Sequence, residues 1–220
     1  LSDPNGLSCT LTPADPPSAS WTVYDYNPSG QALAPRKSPN SMPATTAPDG
    51  SISFPFKLNT YTALLTTTDK SLTGDLSMDT LTATVEVIDG SGTFQHRDGG
   101  PCGPETYVRF FFVSPKASGT TGPGTTGFYT QFWWSNPVHV PLATDPQGPT
   151  TISQVVNAPA LWSDWNGKRG TENPETTEHF MVAIRNVQSV GFSFGGGCFF
   201  ENGVTTSDGD GTFHTTFEES

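Results

Sequence analysis

Phe128-Tyr129-Thr130-Gln131-Phe132-Trp133-Trp134-Ser135-Asn136-Pro137 is the stretch on which the fold turns, and Leu161-Trp162-Ser163-Asp164-Trp165-Asn166-Gly167 is its companion. The first block reads as a β-strand up to Trp134. Side chains alternate along a strand, so Phe128, Thr130, Phe132 and Trp134 share one face, and Tyr129, Gln131 and Trp133 the other. Four of the five tryptophans fall in these two blocks. An indole carries a large apolar face and one N–H donor, so it anchors a core or offers a flat platform to a ligand. Adjacent Trp133 and Trp134 point to opposite faces, which commits at least one of them to packing. Trp134, and Trp162 behind the apolar Leu161, read as packing residues. Trp133, and Trp165 in its polar turn, read as the exposed pair. Tyr129, Asp164 and Asn166 stand beside them as candidate ligand contacts.

Outward from this stretch the chain keeps the period of two. Leu81, Ala83, Val85 and Val87 alternate with Thr82, Thr84 and Glu86, the cleanest half-buried strand in the sequence. Ile52, Phe54, Phe56 and Leu58 alternate as well, but Pro55 inside the run predicts an edge or bulged strand. Trp21–Tyr26, Tyr61–Thr68, Ile152–Val156, Val190–Phe194 and Thr212–Phe217 read as further strands. Tyr107–Val113 is apolar on both faces apart from Arg109, which predicts a central strand covered on each side. A single short helix is expected behind Asn173-Pro174-Glu175, where an N-cap residue, a proline and an acid open the first turn. Phe180, Ala183, Ile184 and Val187 then fall on one helical face. Residues 1–20 form a proline-punctuated arm, residues 28–50 a polar loop, and residues 114–127 a Gly- and Thr-rich loop. About nine or ten strands, no internal repeat and no dividing linker predict one all-β domain over 1–220.

Composition narrows the function. Of 220 residues, 33% are hydrophobic and only 14% charged, and Gly and Pro supply about a fifth. Fifteen phenylalanines argue for a packed core over disorder. Ten basic against 21 acidic residues give a formal charge of −11, which predicts no nucleic-acid partner and no anionic membrane surface. The longest apolar run, 180–184, is far short of the ~20 residues that span a bilayer. The chain begins at Leu1, as expected of a processed or excised fragment, and an acidic surface poor in lysine suits a secreted, monomeric protein. Cys9, Cys102 and Cys198 include no CxxC pair and sit at no zinc-finger spacing. In an oxidising compartment they predict one disulfide and one remaining thiol. Cys102 and Cys198 are the expected pair, since each lies in a Gly-rich bend beside an apolar strand.

Leu72-Thr73-Gly74-Asp75-Leu76, Val108-Arg109-Phe110-Phe111-Phe112 and the helix-to-strand segment Phe180–Phe194 resemble the galactose-binding-like jelly-roll sandwich. Within that superfamily the laminin type IV and extracellular carbohydrate-binding domains are nearest. The resemblance covers about residues 60–217. It implies an antiparallel jelly-roll β-sandwich, with ligands bound through loops or a concave sheet face, and one structural Ca2+. Asp208 and Asp210, in Asp208-Gly209-Asp210-Gly211, are the expected metal residues, although that run supplies only half a calcium loop. Between Gly211 and Phe217, where the family carries an acid, this sequence has none.

No catalytic constellation competes with this reading. His96, His139, His179 and His214 are scattered without HxH or HExxH spacing, and no GxSxG is present. Asp164, Glu172, Glu175 and Glu178 are the one group of neighbouring carboxylates that could serve glycoside hydrolysis, yet the last three also suit a helix N-terminus. The sequence therefore predicts a secreted, non-catalytic module that binds a polysaccharide or glycan through exposed aromatics. The alternatives are a structural or adhesive module whose aromatics are all core, and a polysaccharide-active enzyme using the carboxylates near 164–178.

Overall fold

The computed structural model describes residues 20–27, 32–37, 42–88, 93–97, 103–115, 130–136, 140–142, 148–196, 202–207 and 211–220. Cys9, Cys102, Cys198, Asp208, Asp210 and Tyr129 lie outside them, as do most of the arm 1–20 and of the loop 114–127.

Among the described residues the chain runs β1 (Trp21–Tyr26), β2 (Leu33–Pro35), β3 (Thr45–Thr46), β4 (Ile52–Phe56), β5 (Thr62–Thr67), β6 (Thr80–Ile88), β7 (Phe94–His96), β8 (Tyr107–Val113), β9 (Phe132–Ser135), β10 (Val140–Pro141) and β11 (Thr150–Val155). A short 3-10 turn at Pro159–Leu161 leads to β12 (Trp162–Asp164), helix α1 (Pro174–Ala183), β13 (Ser189–Gly195), β14 (Val204–Thr206) and β15 (Gly211–Glu219). All the strand pairs are antiparallel, and they form two sheets. The larger follows the order β12-β9-β8-β13-β5-β1-β2, with β7, β10 and β14 attached off that path; the smaller follows β11-β6-β15-β4-β3. Among the described residues the fold is an all-β sandwich with one α-helix. The strands beyond the nine or ten expected are mostly two- or three-residue pieces, too short to show a period.

Aromatic rings join the layers. Phe54 and Phe213 of the smaller sheet meet Phe194 of the larger at 5.6 and 5.0 Å between ring centroids. Trp21 meets Phe217 at 5.2 Å. These edge-to-face contacts are the geometry that the ring quadrupole favours. In β6 the residues Leu81, Ala83 and Val85 are buried, while Thr82, Thr84 and Glu86 stay half-exposed. β8 lies between β9 and β13, and its residues Val108 to Phe112 are buried on both faces. Arg109 is only 4% exposed, and burial pushes its guanidinium down to about 10. Next to β8, Gly191 in β13 has φ +152°, and a Cβ there would collide with the Leu65 carbonyl oxygen and the Trp21 ring. Only glycine fits that close approach.

The Pro55 expectation is met in a specific form. β4 has β15 along one flank and only the two-residue β3 along the other, and Pro55 lies beyond the last β3 partner, Ser53. The helix begins as its cap signature predicts, with Asn173 Oδ1 accepting the Thr176 N–H at 2.9 Å. Phe180, Ala183, Ile184 and Val187 are all buried. The helix itself stops at Ala183, and Val187 instead pairs with Gly74 in an isolated bridge, fastening the 72–76 link to the segment behind the helix.

A buried ion pair clasps the two layers. Arg36, just after β2, donates Nε to Asp25 Oδ2 at 2.6 Å and Nη2 to Oδ1 at 3.1 Å. Its Nη2 also reaches Thr62 Oγ1 at 2.8 Å, and Nη1 reaches the Pro55 carbonyl oxygen at 2.6 Å. Asp25 and Thr62 belong to the larger sheet and Pro55 to the smaller. One guanidinium thus ties both layers, with the Phe54 ring 5.3 Å beneath it.

Candidate functional site

The site is built at the β12 edge of the larger sheet. β12 pairs with β9 in the register Trp162 to Ser135, Ser163 to Trp134 and Asp164 to Trp133. β9 pairs with β8, placing Trp134 beside Phe111 and Trp133 beside Phe112. Period two then sorts the tryptophans. Trp133 and Trp162 face the interlayer core with Phe112, and Trp134 lies on the opposite face with Phe111 and Phe132.

Trp133 is not exposed, and the expectation that it lines a ligand surface is corrected. It is 0% accessible, its ring meets Phe180 of α1 edge-on at 4.8 Å, and its Nε1–H donates to the Thr130 carbonyl at 2.9 Å. The helix packs over the position that strand alternation left open. Trp162 is equally buried, edge-on to Phe112 at 5.0 Å, with Nε1–H donating to Val155 O at 3.1 Å. Trp134, on the outer face, is 1% exposed because neighbouring rings cover it, Phe111 at 5.0 Å among them.

Trp165 is the exposed member, with 43% of its surface accessible. It lies between β12 and the returning segment, where Asp164 N–H donates to Lys168 O and Gly167 N–H to Asp164 O. Gly167 takes φ +74°, a left-handed conformation that glycine adopts without penalty. The Asp164 carboxylate holds the turn from within: its Oδ1 accepts the N–H groups of Asn166 and Lys168, each at 2.9 Å. This is a side chain mimicking a backbone turn. The turn lays the Trp165 ring against Phe132 at 5.1 Å and Trp134 at 5.9 Å. Asn166 is exposed beside it.

Asp164 therefore supports the turn and presents no free face. It is 2% exposed, and burial raises its pKa above the usual 3.8, against the lowering effect of its two backbone hydrogen bonds. A raised pKa means that the folded protein holds this proton more tightly than the unfolded chain does. The effect favours folding below the unfolded value and turns into a cost as pH rises through the folded one. Asp164→Asn keeps an oxygen for both N–H groups and removes the buried charge. At pH 7 its melting temperature should equal or exceed that of the native protein, and the difference should shrink as pH falls through the carboxylate range. Asp164→Ala should instead lose about 1–3 kcal/mol by orphaning the donors. An Asn variant as unstable as the Ala variant would show that the charge itself is needed.

Glu172, Glu175 and Glu178 are exposed around the start of α1. Among the described residues no group of three or more His, Cys, Asp or Glu is arranged to hold a metal ion. No described helix is long and apolar enough to cross a membrane.

The structure also adds residues that sequence reasoning passed over. Phe132, two positions before Trp134 and hence on its face, forms part of the Trp165 platform. Arg169 stands opposite Ser163 in an isolated bridge and donates Nη1 to the Ala160 carbonyl at 2.7 Å. Asn136 donates Nδ2 to Ser163 Oγ at 3.0 Å. The alternation in 128–134 was the available signal for Phe132; Arg169 had only its place in the Lys168-Arg169 pair. Scans of family models, of curated proteins and of solved structures find no match to this chain, so its own geometry carries the functional reading.

Proposed function

We propose that this β-sandwich is a secreted, non-catalytic carbohydrate-binding module of the galactose-binding-like, laminin type IV-like kind. The observation that supports the reading is Trp165, a half-exposed indole held in a fixed orientation by the Asp164-braced turn and backed by Phe132 and Trp134. Such a ring needs no ordering on binding, which preserves affinity that a mobile side chain would lose. Sugars present C–H faces that pack on an aromatic plane, and Asn166 stands ready as a polar contact. Tyr129 belongs to the same proposal on sequence grounds alone. The Ca2+ proposed for Asp208 and Asp210, and the Cys102–Cys198 disulfide, rest on the sequence alone as well.

The test is Trp165→Ala against an array of plant, fungal and bacterial glycans. Binding should weaken about tenfold, or ~1.4 kcal/mol, while the melting temperature stays close to that of the native protein. No binding to any glycan would leave the structural or adhesive reading in its place, and a variant that binds as well as the native protein would move the glycan away from Trp165. The burial of Trp133, Trp134 and Trp162 already suits that second reading for three of the four indoles.

A further inference from the structure

We infer that the glycan recognised beside Trp165 carries carboxylates, and that Arg169 reads them. The inference rests on the carbohydrate reading above and adds the chemical class of the sugar. Arg169 is exposed, yet its guanidinium is held in place. Nη1 donates to the Ala160 carbonyl at 2.7 Å and, at 3.4 Å, to that of Asn136. A guanidinium has five N–H groups in a rigid plane, so these bonds on one nitrogen leave the Nε and Nη2 edge unused. That edge presents parallel donors, the geometry that matches a carboxylate in a bidentate pair.

The chain has 21 acidic residues against ten basic ones, but among the described residues no carboxylate lies within ion-pair distance of Arg169. Arg36, by contrast, is fully engaged by Asp25. A cation left without a carboxylate among the described residues, with Nη1 anchored and its Nε–Nη2 edge unused, is suited to an acid supplied from outside. Lys168, also exposed, adds a second positive charge at the same turn.

Arg169 and the platform share one side of the sheet edge. Its bridge partner Ser163 pairs in turn with Trp134 of β9, and Trp165 rests on Trp134 at 5.9 Å. Arg169 therefore stands two strand spacings from Trp134, roughly 10 Å. Ring and fork are placed to meet neighbouring residues of one sugar chain, the ring taking a C–H face and the fork a uronate carboxylate.

Calorimetric titration with oligogalacturonate, a cello-oligosaccharide of equal length and a sulfated galactan oligosaccharide tests this with the native protein, Arg169→Gln, Arg169→Lys and Trp165→Ala. The inference expects the uronate to bind at least tenfold more tightly than the neutral chain. Arg169→Gln should abolish that preference, and Arg169→Lys, which keeps the charge but not the fork, should retain only part of it. A melting-temperature scan of the Lys variant, which keeps a donor for the Ala160 carbonyl, separates lost recognition from lost folding. If the neutral chain binds as well as the uronate, dependent on Trp165 and indifferent to Arg169, the carboxylate inference fails and the carbohydrate reading survives. A preference for the sulfated chain alone overturns the carboxylate assignment. Failure of all three sugars to bind overturns both.

Discussion

Trp133→Ala should cost about 3–5 kcal/mol, the range for truncating a buried tryptophan, and should be among the most damaging single substitutions in the chain. The indole is wholly buried, and its loss opens a cavity between β9 and α1 where the Phe180 ring now sits 4.8 Å away. It also removes the N–H that the Thr130 carbonyl accepts at 2.9 Å. Trp165→Ala, one residue past Trp133's cross-strand partner Asp164 and on the solvent side, should cost far less, because Trp165 is already 43% accessible. Guanidinium denaturation of the two variants side by side measures the contrast. Equal losses would mean that Trp165 is a packing residue like Trp133, and the platform reading would fall with it.

The second large effect is expected at the clasp. Arg36→Met should destabilise by about 3–5 kcal/mol, because it leaves the Asp25 carboxylate with its partner gone and little water to replace it. The side chains of Arg36 and Asp25 are 1% and 14% accessible. Removing the carboxylate as well, in Arg36→Met with Asp25→Ala, should recover part of the loss, since no uncompensated charge is then buried. The measurement is the denaturation midpoint at constant slope. A single variant that loses under ~1 kcal/mol would place the pair with exposed salt bridges, and a double variant worse than the sum of the singles would contradict the account of a stranded charge.

The sequence made the strands of the sandwich readable wherever one face is wet. β6 and β15 show their period because Thr82, Thr84 and His214 look outward while Leu81, Ala83 and Phe213 look inward. The helix was readable from its cap, because Asn173 bonds to residues three and four positions away and Pro174 at the first helical position has no N–H to satisfy. What alternation cannot reveal is the cover over each face. Trp133 looked exposed because Phe180, which covers it, is 47 positions further along the chain, and the fate of a strand face depends on such distant partners. Arg36 was lost in a stretch read as polar loop for the same reason: the atoms it bonds come from β1, β4 and β5. Asp164 was named from sequence but in the wrong role, since a carboxylate beside a tryptophan looks the same whether it faces a sugar or its own backbone. Trp165 was recognised because its neighbours Asp164, Asn166 and Gly167 are turn residues, and the signal there is local.

The place of β15 has a consequence for the order in which the molecule assembles. It is the latest of the described strands, yet it lies in the middle of the smaller sheet, between β6 and β4. Its pairings reach back from Phe213 to Phe54 and from Glu219 to Leu81. Until β15 is synthesised, β6 and β4 have no strand to join them, and Phe54, Phe192 and Phe194 lack the Phe213 ring that packs against all three. Loop-closure entropy must then be overcome between partners 138 and 159 positions apart before the core pays it back, which makes this a slow folder by topology. A nascent chain emerging from the ribosome would carry its aromatic layer unsealed until the last strand arrives.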